Sequence, residues 1–513
     1  MEAKKTKIGL LVGGFVLALA GLALSMFFEQ IIFYQFEQEL PLKPGSQSFK
    51  KWRLTPVPIT MSVYFWNWTN PHEMSQADYK PSFVEMGPYV FREIHEKVNL
   101  SWNPNGTVTF RTIKRWYFVE EKTNGSLDDN VTSLNAVAAS VAYIVRGWNR
   151  FFLYPVSIAL VTSGQELTWT KTVRELLFDG FDNTLQNIGS YAPGLPALDK
   201  FGWFYKRNGT VSADTYTIGT GENGLNEIGE LKLWNYRKLS DMYPECSNTG
   251  GYSGEFWPPK RKKEDVLKMF TTELCREVLY YYEEESTYRG LKTYIYAGTN
   301  LTMDNGTKVL ENKCHCDHDF CPPSGVFDVS KCQFGAPVFM SYPHFYSADP
   351  YYRNSMRGMH PDKNKHRFYI ALEPRTGLQV DIRARMQVNL YLKKNSALSM
   401  YSQVKEGFIP VLWMENSVSL SEEYTQGIKI MLKIVEFGPF IYYGMIGLGC
   451  LIILGVIFLH FFAPPITEDH KRNGKIQSGS EKVIFNKGEE IQLTGHDENE
   501  INDIEYKFSE VKL

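Results

Sequence analysis

The sequence predicts a mainly β protein with inserted helices, held between two membrane-spanning helices. Three observations predict this class: an uncharged apolar run near each end, strand-type alternation between the runs, and few helical patterns there. The chain has 513 residues and a net charge of −2, so its bulk charge excludes a typical nucleic-acid binder. A mean hydropathy of −0.29 excludes a polytopic membrane protein but allows one or two spans.

The two apolar runs divide the chain into five segments. The first run, Ile8 to Phe28, would extend about 31 Å as a helix, close to the hydrocarbon thickness of a bilayer. The second run carries small residues, typical of closely packed membrane helices, at Gly444, Gly447, Gly449 and Gly455. The predicted segments are an N-terminal tail over 1–7, a helix over 8–28, an ectodomain over 29–437, a helix over 438–462 and a disordered tail over 463–513.

Basic residues outside both runs predict the orientation. Basic residues precede the first run and follow the second: Lys4, Lys5, Lys7, Lys471, Arg472 and Lys475. By the positive-inside rule both termini are therefore expected in the cytoplasm, and the ectodomain outside the cell or in a lumen. The alternative is a cleaved signal peptide with Ala18-Leu19-Ala20 as its cleavage site. Weak sorting signals in the tail favour the plasma membrane over endolysosomal membranes.

Strand signals dominate the region between the runs. Ile59 to Trp68 and Thr107 to Val119 are rich in β-branched and aromatic residues. Leu378 to Leu392 alternates apolar and polar residues, which predicts a long strand with one buried and one wet face. Arg367 to Leu372 should pair with it as an antiparallel hairpin.

Helical patterns are fewer, and no linker divides the region. They cover Val131 to Val145, Thr172 to Phe178 and Glu264 to Glu283. The apolar residues of the last segment, Glu264 to Glu283, can also be interpreted as ordinary core. We therefore expect one large β-rich domain with inserted helices.

Glycosylation signals agree with an ectodomain outside the cytosol. All eight N-x-[ST] sequons fall between the two runs, and any single one could be an unused coincidence. The candidate glycan sites are Asn67, Asn99, Asn105, Asn124, Asn130, Asn208, Asn300 and Asn305.

The cysteines predict disulfides. Six of the seven lie in the ectodomain, and an oxidising compartment favours three bonds among fifteen possible pairings. The alternative is a zinc site, since Cys314 to Cys321 brings thiols and imidazoles to short spacing. We expect no metal.

No motif supports catalysis or a cofactor. Gly219 to Gly224 matches G-x-G-x-x-G without a surrounding βαβ unit, and Gly250 to Gly254 reads as a turn. The best candidate for binding an anionic ligand is one run of basic residues: Lys260, Arg261, Lys262 and Lys263. The alternative interpretation of this run is the solvated start of a helix.

Motifs spread over about 350 residues resemble the class B scavenger receptor family, insect members most of all. They are Asn67-Trp68-Thr69-Asn70-Pro71, Glu85 to Glu93, Thr172 to Leu177, Cys314 to Cys332, Gly335 to Phe339, and Glu373 to Leu390. The resemblance implies an antiparallel β-barrel ectodomain with an apical helical bundle. It also implies an apolar tunnel that leads lipid toward the membrane, and a receptor rather than an enzyme.

The resemblance also implies a disulfide pairing and partners. The pairs would be Cys246 with Cys314, Cys275 with Cys332, and Cys316 with Cys321. The lysines that relatives use against fatty carboxylates are absent, and Arg146 and Arg150 are candidate substitutes. Expected partners are lipids, lipoproteins or anionic lipid surfaces but no nucleic acid, and a homo-oligomer is left open. Alternatives are a phagocytic receptor for apoptotic cells or microbes, or a sensory-neuron lipid or pheromone receptor.

Overall fold

A computed structural model describes residues 2–76, 78–182, 199–241, 246, 250–316 and 320–462. The predicted disordered tail over 463–513 lies outside the described residues. The chain forms two units, one made of 1–34 with 430–513 and the other of 35–429. The helices are α1 Glu2–Glu39, α2 Gln47–Arg53, α3 Ala136–Ile144, α4 Arg150–Thr162, α5 Pro350–Asn354, α6 Lys363–His366 and α7 Glu422–Phe461.

The strands lie in the larger unit. They are β1 Ile59–Trp68, β2 Phe83–Asn103, β3 Thr107–Phe118, β4 Asn130–Leu134, β5 Thr168–Thr172, β6 Phe181–Asp182, β7 Lys200–Phe201, β8 Tyr216–Gly219, β9 Leu231–Trp234, β10 Val266–Thr271, β11 Arg276–Tyr288, β12 Leu291–Ala297, β13 Val326–Asp328, β14 Val338–Ser341, β15 Tyr369–Leu372, β16 Gln379–Leu392 and β17 Gly407–Ser419.

The smaller unit is a pair of long apolar helices. Both α1 and α7 are long and apolar enough to cross a membrane, which fits a two-pass membrane protein. Their contacts run antiparallel, since Gly14 lies against Gly449 and Gly21 lies against Ile446. A Cβ at Gly449 would stand only 2.6 Å from the carbonyl oxygen of Gly14. This close packing favours an intact first helix over a cleaved signal peptide.

The second run's glycines are not equivalent. Gly449 meets α1, whereas Gly444, Gly447 and Gly455 have open space where a side chain would stand. Gly438, at the start of the run, faces the ring of Phe28. Helix packing therefore uses one of the four predicted glycines together with Gly438.

The larger unit is built on an antiparallel sheet of 13 strands. Its main path runs β10-β11-β12-β15-β16-β17-β1-β2-β3-β8-β9, and β14 joins it beside β16. The two end strands meet through Tyr252, which bridges Glu230 beside β9 and Met269 in β10. Pairing through one residue closes the sheet almost completely, so the predicted antiparallel barrel is confirmed.

The strand predictions are confirmed in position. β1 and β3 coincide with the predicted segments, and β15 pairs with β16 in antiparallel register, Ile370 opposite Ile382. The predicted wet face of β16 is wrong. Its polar residues Asp381, Arg385, Gln387 and Asn389 are buried, because they find hydrogen-bond partners inside the fold. Arg385 donates to the carbonyls of Asn364 and Arg367, and Gln387 accepts from the N–H of His344.

The predicted helix over Glu264 to Glu283 is wrong. This segment forms the strands β10 and β11, which pair as a hairpin with Met269 opposite Val278. The turn includes Cys275, whose φ is +52°, a conformation that no α-helix tolerates. Runs such as Val278 to Tyr282 are β-branched and aromatic, and pairing with β12 overrides the helical spacing.

The two other helical predictions are partly right. Val131 to Val145 divides into β4 and α3, with the N-cap Asn135 between them accepting from the backbone N–H of Ala138. Thr172 to Phe178 ends β5 and enters a π-helical turn over Glu175–Asp179. The segment around Tyr252, predicted as a turn, is extended where it closes the barrel.

Candidate functional site

Helix α4 is fixed to the ectodomain by one face. Asn149 caps its first turn by accepting from the N–H of Phe151 at 3.1 Å. Leu153, Val156 and Leu160 are buried in the core. Ser157 accepts a hydrogen bond at 3.1 Å from the backbone N–H of Ser399. These contacts hold the helix in one orientation.

The opposite face of α4 is apolar and open. Phe151, Tyr154, Ile158 and Val161 stand three or four residues apart, the spacing of one helix face, and are 80 %, 69 %, 52 % and 55 % exposed. Phe152 beside them is also exposed. Large apolar groups gathered on one surface mark an interaction site for a protein, a membrane or a lipid.

Two arginines flank this face. Arg146 donates to the carbonyl oxygen of Tyr143 at 2.9 Å and its guanidinium lies 3.9 Å from the centre of that ring. Arg150, the first residue of α4, lies 3.4 Å from the hydroxyl of Ser396. Both arginines are exposed. Of the two candidate basic residues, Arg146 precedes α4 in the turn over 145–147, and Arg150 begins it.

Aromatic side chains fill the space behind α3. Tyr143 packs edge-on against Tyr391, which stacks on Phe320. Phe408 lies 4.9 Å from Tyr391 between ring centres, and Tyr352 follows on at 5.2 Å from Phe408. Burial raises the pKa of Tyr391 well above its usual range. Packed aromatic side chains therefore continue inward from α3 to strands β16 and β17.

A buried polar network fastens β16 to its neighbours. The side-chain oxygen of Gln387 accepts from the indole of Trp66 at 3.1 Å and from the backbone N–H of His344 at 2.9 Å. The His344 ring bonds Glu85 at 2.8 Å, and Glu85 also accepts from Trp413. Each buried polar group has a partner, so the network stabilises the fold.

Two histidines stack inside this network. The rings of His344 and His366 lie 4.1 Å apart, and both Nδ1 atoms accept from backbone N–H groups. Burial, with the neighbouring His344, lowers the pKa of His366 to about 4. Burial would raise the pKa of Glu85, but hydrogen bonds from His344 and Trp413 hold it below its usual value.

The structure forms the three disulfides that the resemblance implies: Cys246–Cys314, Cys275–Cys332 and Cys316–Cys321. The thiols needed for the alternative zinc site are therefore bonded to one another. His315 lies 3.7 Å from the sulfur of Cys246, and burial lowers the pKa of this imidazole to about 3. The adjoining cavity of about 30 Å³ holds about one water molecule and no lipid.

The sequons divide into two groups. Asn99, Asn105, Asn124, Asn130, Asn208 and Asn300 are exposed. Asn67 lies within β1 and accepts from the backbone N–H of Thr132 at 2.8 Å. Asn305 donates to the carbonyl oxygen of Pro322 at 3.0 Å. None of the eight sequons falls within α3 or α4. Neither helix therefore carries a glycan attachment site of its own beside the apolar face.

The basic run Lys260–Lys263 belongs to another part of the ectodomain. It is a loop rather than a helix start, since the N–H groups of Lys260 and Arg261 bond the carbonyls of Arg375 and Pro374. The ammonium of Lys260 lies 2.7 Å from Glu37 near the end of α1. Lys263 pairs with Glu285. None of these four residues forms a hydrogen bond or ion pair with α4.

Sequence reasoning missed α4 as an element. Its signal was present, because Arg150 to Thr162 holds one charge and apolar residues at helical spacing on both sides. Pro155 inside the segment obscures that pattern, since proline is unfavourable within a helix. Its outward face could not be told from core by spacing alone.

Comparisons with known proteins agree with this architecture. The profile described as "CD36 family" matches residues 12–460. The chain is similar to Protein peste of Drosophila melanogaster, 35% identical over 410 residues, covering 79% of this chain and 74% of the relative. It is similar to Scavenger receptor class B member 1 of Mus musculus, 31% identical, covering 88% and 89%.

A third relative is Lysosome membrane protein 2 of Homo sapiens, 28% identical, covering 84% of this chain and 89% of that protein. The names of these relatives place the group in membranes and include a receptor. Together with the closed antiparallel sheet and the two terminal helices, the match over 12–460 confirms the predicted class B scavenger receptor resemblance. The chain belongs to the CD36 family.

Proposed function

We propose that this protein is a cell-surface receptor that binds lipids or lipoproteins through the outward face of α4 and passes lipid inward through the ectodomain to the membrane. The observation that carries the proposal is the exposure of Phe151, Tyr154, Ile158 and Val161 on one face of a helix whose other face is anchored. The names of the scavenger receptor relatives support a receptor.

The apolar face suits recognition of a lipid surface. Burial of each large apolar side chain is worth roughly 1.5 to 3 kcal/mol, so several together can hold a particle. Arg146 and Arg150 at the edge of the face add charge for phosphate or carboxylate headgroups. No sequon lies in α3 or α4, which leaves the approach clear of attached sugar.

Transfer needs an apolar route, because exposing each methylene of a lipid chain to water costs about 0.8 kcal/mol. The aromatic cluster from Tyr143 through Tyr391 to Phe408 leads inward from the helices. The almost closed sheet then shields the interior from water. These features support an internal apolar route for lipid within the ectodomain.

The proposed topology has cytoplasmic tails over 1–7 and 463–513, spans over 8–28 and 438–462, and an extracellular domain over 29–437. Epitope tags at both ends test it. Antibody should reach neither tag in intact cells at the plasma membrane and both after permeabilisation, and access to either tag in intact cells would contradict it.

Recognition is tested with a variant that makes the face polar. Phe151→Ser, Tyr154→Ser and Ile158→Ser together should lower binding of lipoprotein particles by cells at least about tenfold, given the apolar area removed. The matched control is Tyr236→Ser, which removes an equally exposed aromatic residue elsewhere. Unchanged binding by the triple variant would contradict recognition through α4.

Transfer is tested separately with particles that carry one label on their lipid and another on their protein. A transporter delivers lipid label in excess of protein label. Equal delivery of both labels would contradict transfer and favour the second candidate, a receptor that takes up whole particles, apoptotic cells or microbes. Native mass spectrometry of the purified full chain should also detect retained lipid.

A further inference from the structure

Ectodomain segments grouped around residues 35–39 and 421–429 carry a surplus of positive charge. This basic surface comprises residues 35–39, 47–53, 258–265, 288–292, 373–377 and 421–429. It contains eleven Lys and Arg against seven Asp and Glu, whereas the whole chain has a net charge of −2. Glu285, just outside these segments, pairs with Lys263 and Lys292, so the local surplus is three positive charges.

Contacts within the ectodomain gather these segments. Lys260 pairs with Glu37 at 2.7 Å, and the N–H of Lys260 bonds the carbonyl of Arg375. Arg289 pairs with Glu422 at 3.2 Å, and Lys429 pairs with the same carboxylate at 2.9 Å.

Helix α2 joins them through Lys51 and Trp52. The ammonium of Lys51 lies 5.6 Å from the ring centre of Tyr424. The indole of Trp52 donates at 2.8 Å to Glu255, three residues before the loop over 258–265.

Two residues of this surface, Glu37 and Lys429, lie on the long helices themselves, so their distance along the helix from the apolar runs is known. Glu37 follows the last residue of the first uncharged run by nine residues, and Lys429 precedes the first residue of the second run by nine. At 1.5 Å per helical residue each lies about 14 Å along its helix from the apolar run. A headgroup layer occupies roughly 5 to 8 Å of that distance, and a Debye length of about 8 Å spans the rest.

Several cations on the surface are available to another partner. Lys262 and Arg375 are exposed, and neither side chain makes a hydrogen bond or ion pair with the part of the chain that the structure describes. Lys50 and Arg53 project from the exposed side of α2. Such residues gain by lying near negative charge on a membrane.

We propose that this basic surface binds the anionic headgroups of the leaflet on the ectodomain side. The assignment explains why the cationic run Lys260–Lys263 lies beside α1 rather than beside α4. It is independent of the proposed recognition by α4 and of lipid transfer. It predicts that the protein selects anionic lipids as neighbours and orients its ectodomain on them.

The test uses the full chain in nanodiscs of phosphatidylcholine with spin-labelled phosphatidylserine or phosphatidylcholine as the probe. The wild type should associate with the serine lipid about threefold more strongly, and 0.5 M salt should reduce the preference. Lys262→Glu with Arg375→Glu should abolish most of it. Lys122→Glu with Lys393→Glu is the matched control, since both are exposed lysines outside the surface, and should retain it.

Two results would overturn the proposal. The first is an equal preference in the Lys262→Glu, Arg375→Glu variant and in the control. The second is no preference in the wild type together with heparin binding that only this variant loses, which would assign the surface to a soluble polyanion instead. Thermal unfolding of both variants shows whether each is folded.

Discussion

Strand β16 and helix α4 differ in a way that their sequences do not suggest. β16 alternates polar with apolar residues, yet both of its faces are buried. α4 is apolar on two sides, yet one side is open. The polar face of β16 is buried because its side chains bond one another and their neighbours, whereas the outer face of α4 is exposed. Polarity therefore does not predict exposure here, and the exposed apolar face marks function rather than fold.

The largest change in stability that we expect comes from replacing Gln387 on the buried face of β16. Gln387→Ala leaves the indole N–H of Trp66 and the backbone N–H of His344 without an acceptor, and should lower the free energy of unfolding by about 3 kcal/mol. Thermal unfolding of the full chain in detergent measures this.

Tyr154→Ala, on the open face of α4, is the substitution to compare with Gln387→Ala. It should change the free energy of unfolding by less than about 0.5 kcal/mol, since its side chain is mostly in solvent. Equal destabilisation by the two substitutions would contradict the contrast between the regions.

Acid should weaken the region around β16. His366 has its pKa lowered to about 4 against about 6.5 when unfolded, so the unfolded chain binds a proton that the folded chain does not. The stability that this difference contributes is complete above pH 6.5 and is lost as the pH falls toward 4.

We expect a loss on the order of 2 kcal/mol over that range. His366→Gln should flatten the dependence of the melting temperature on pH in this range, while Tyr154→Ala should leave it unchanged. An identical pH profile for wild type and His366→Gln would show that this imidazole titrates normally.

The smallest effects on stability that we expect come from the sequon asparagines. They should distinguish an asparagine whose side chain bonds the fold from one that is exposed. Asn67→Gln should cost about 1 kcal/mol of stability, because the side chain accepts from the N–H of Thr132, with no change in glycan mass. Asn124→Gln, at an exposed sequon, should lower the mass by one glycan without a cost in stability. Mass spectrometry before and after enzymatic deglycosylation measures the glycan mass of both variants, and thermal unfolding measures their stability. A glycan on Asn67 would contradict the first expectation.

The sequence predicted the parts of the fold that local patterns determine. The two long helices, β1, β3 and the β15–β16 hairpin follow from uncharged runs and period-two alternation, and the disulfide pairing followed from the resemblance. The hairpin of β10 and β11 was missed because apolar residues such as Leu267, Phe270 and Leu274 fit helical spacing, and only pairing with β12 decides for strands.

The candidate site was less predictable. Arg146 and Arg150 were named, but the open face of α4 depends on which side of the helix packs against the core, and spacing cannot show this. The role of Lys260–Lys263 likewise depends on a contact with Glu37 more than 200 residues away in the chain. Long-range packing decides both.

The most direct test of recognition through α4 is photolabelling of the full chain in cells by lipoprotein particles that carry a diazirine lipid. At early times we expect crosslinks concentrated in the peptide over 150–162, with labelling of peptides from β16 and β17 appearing later. The Phe151→Ser, Tyr154→Ser, Ile158→Ser variant should lose both. Early crosslinks elsewhere in the ectodomain with none in 150–162 would contradict it.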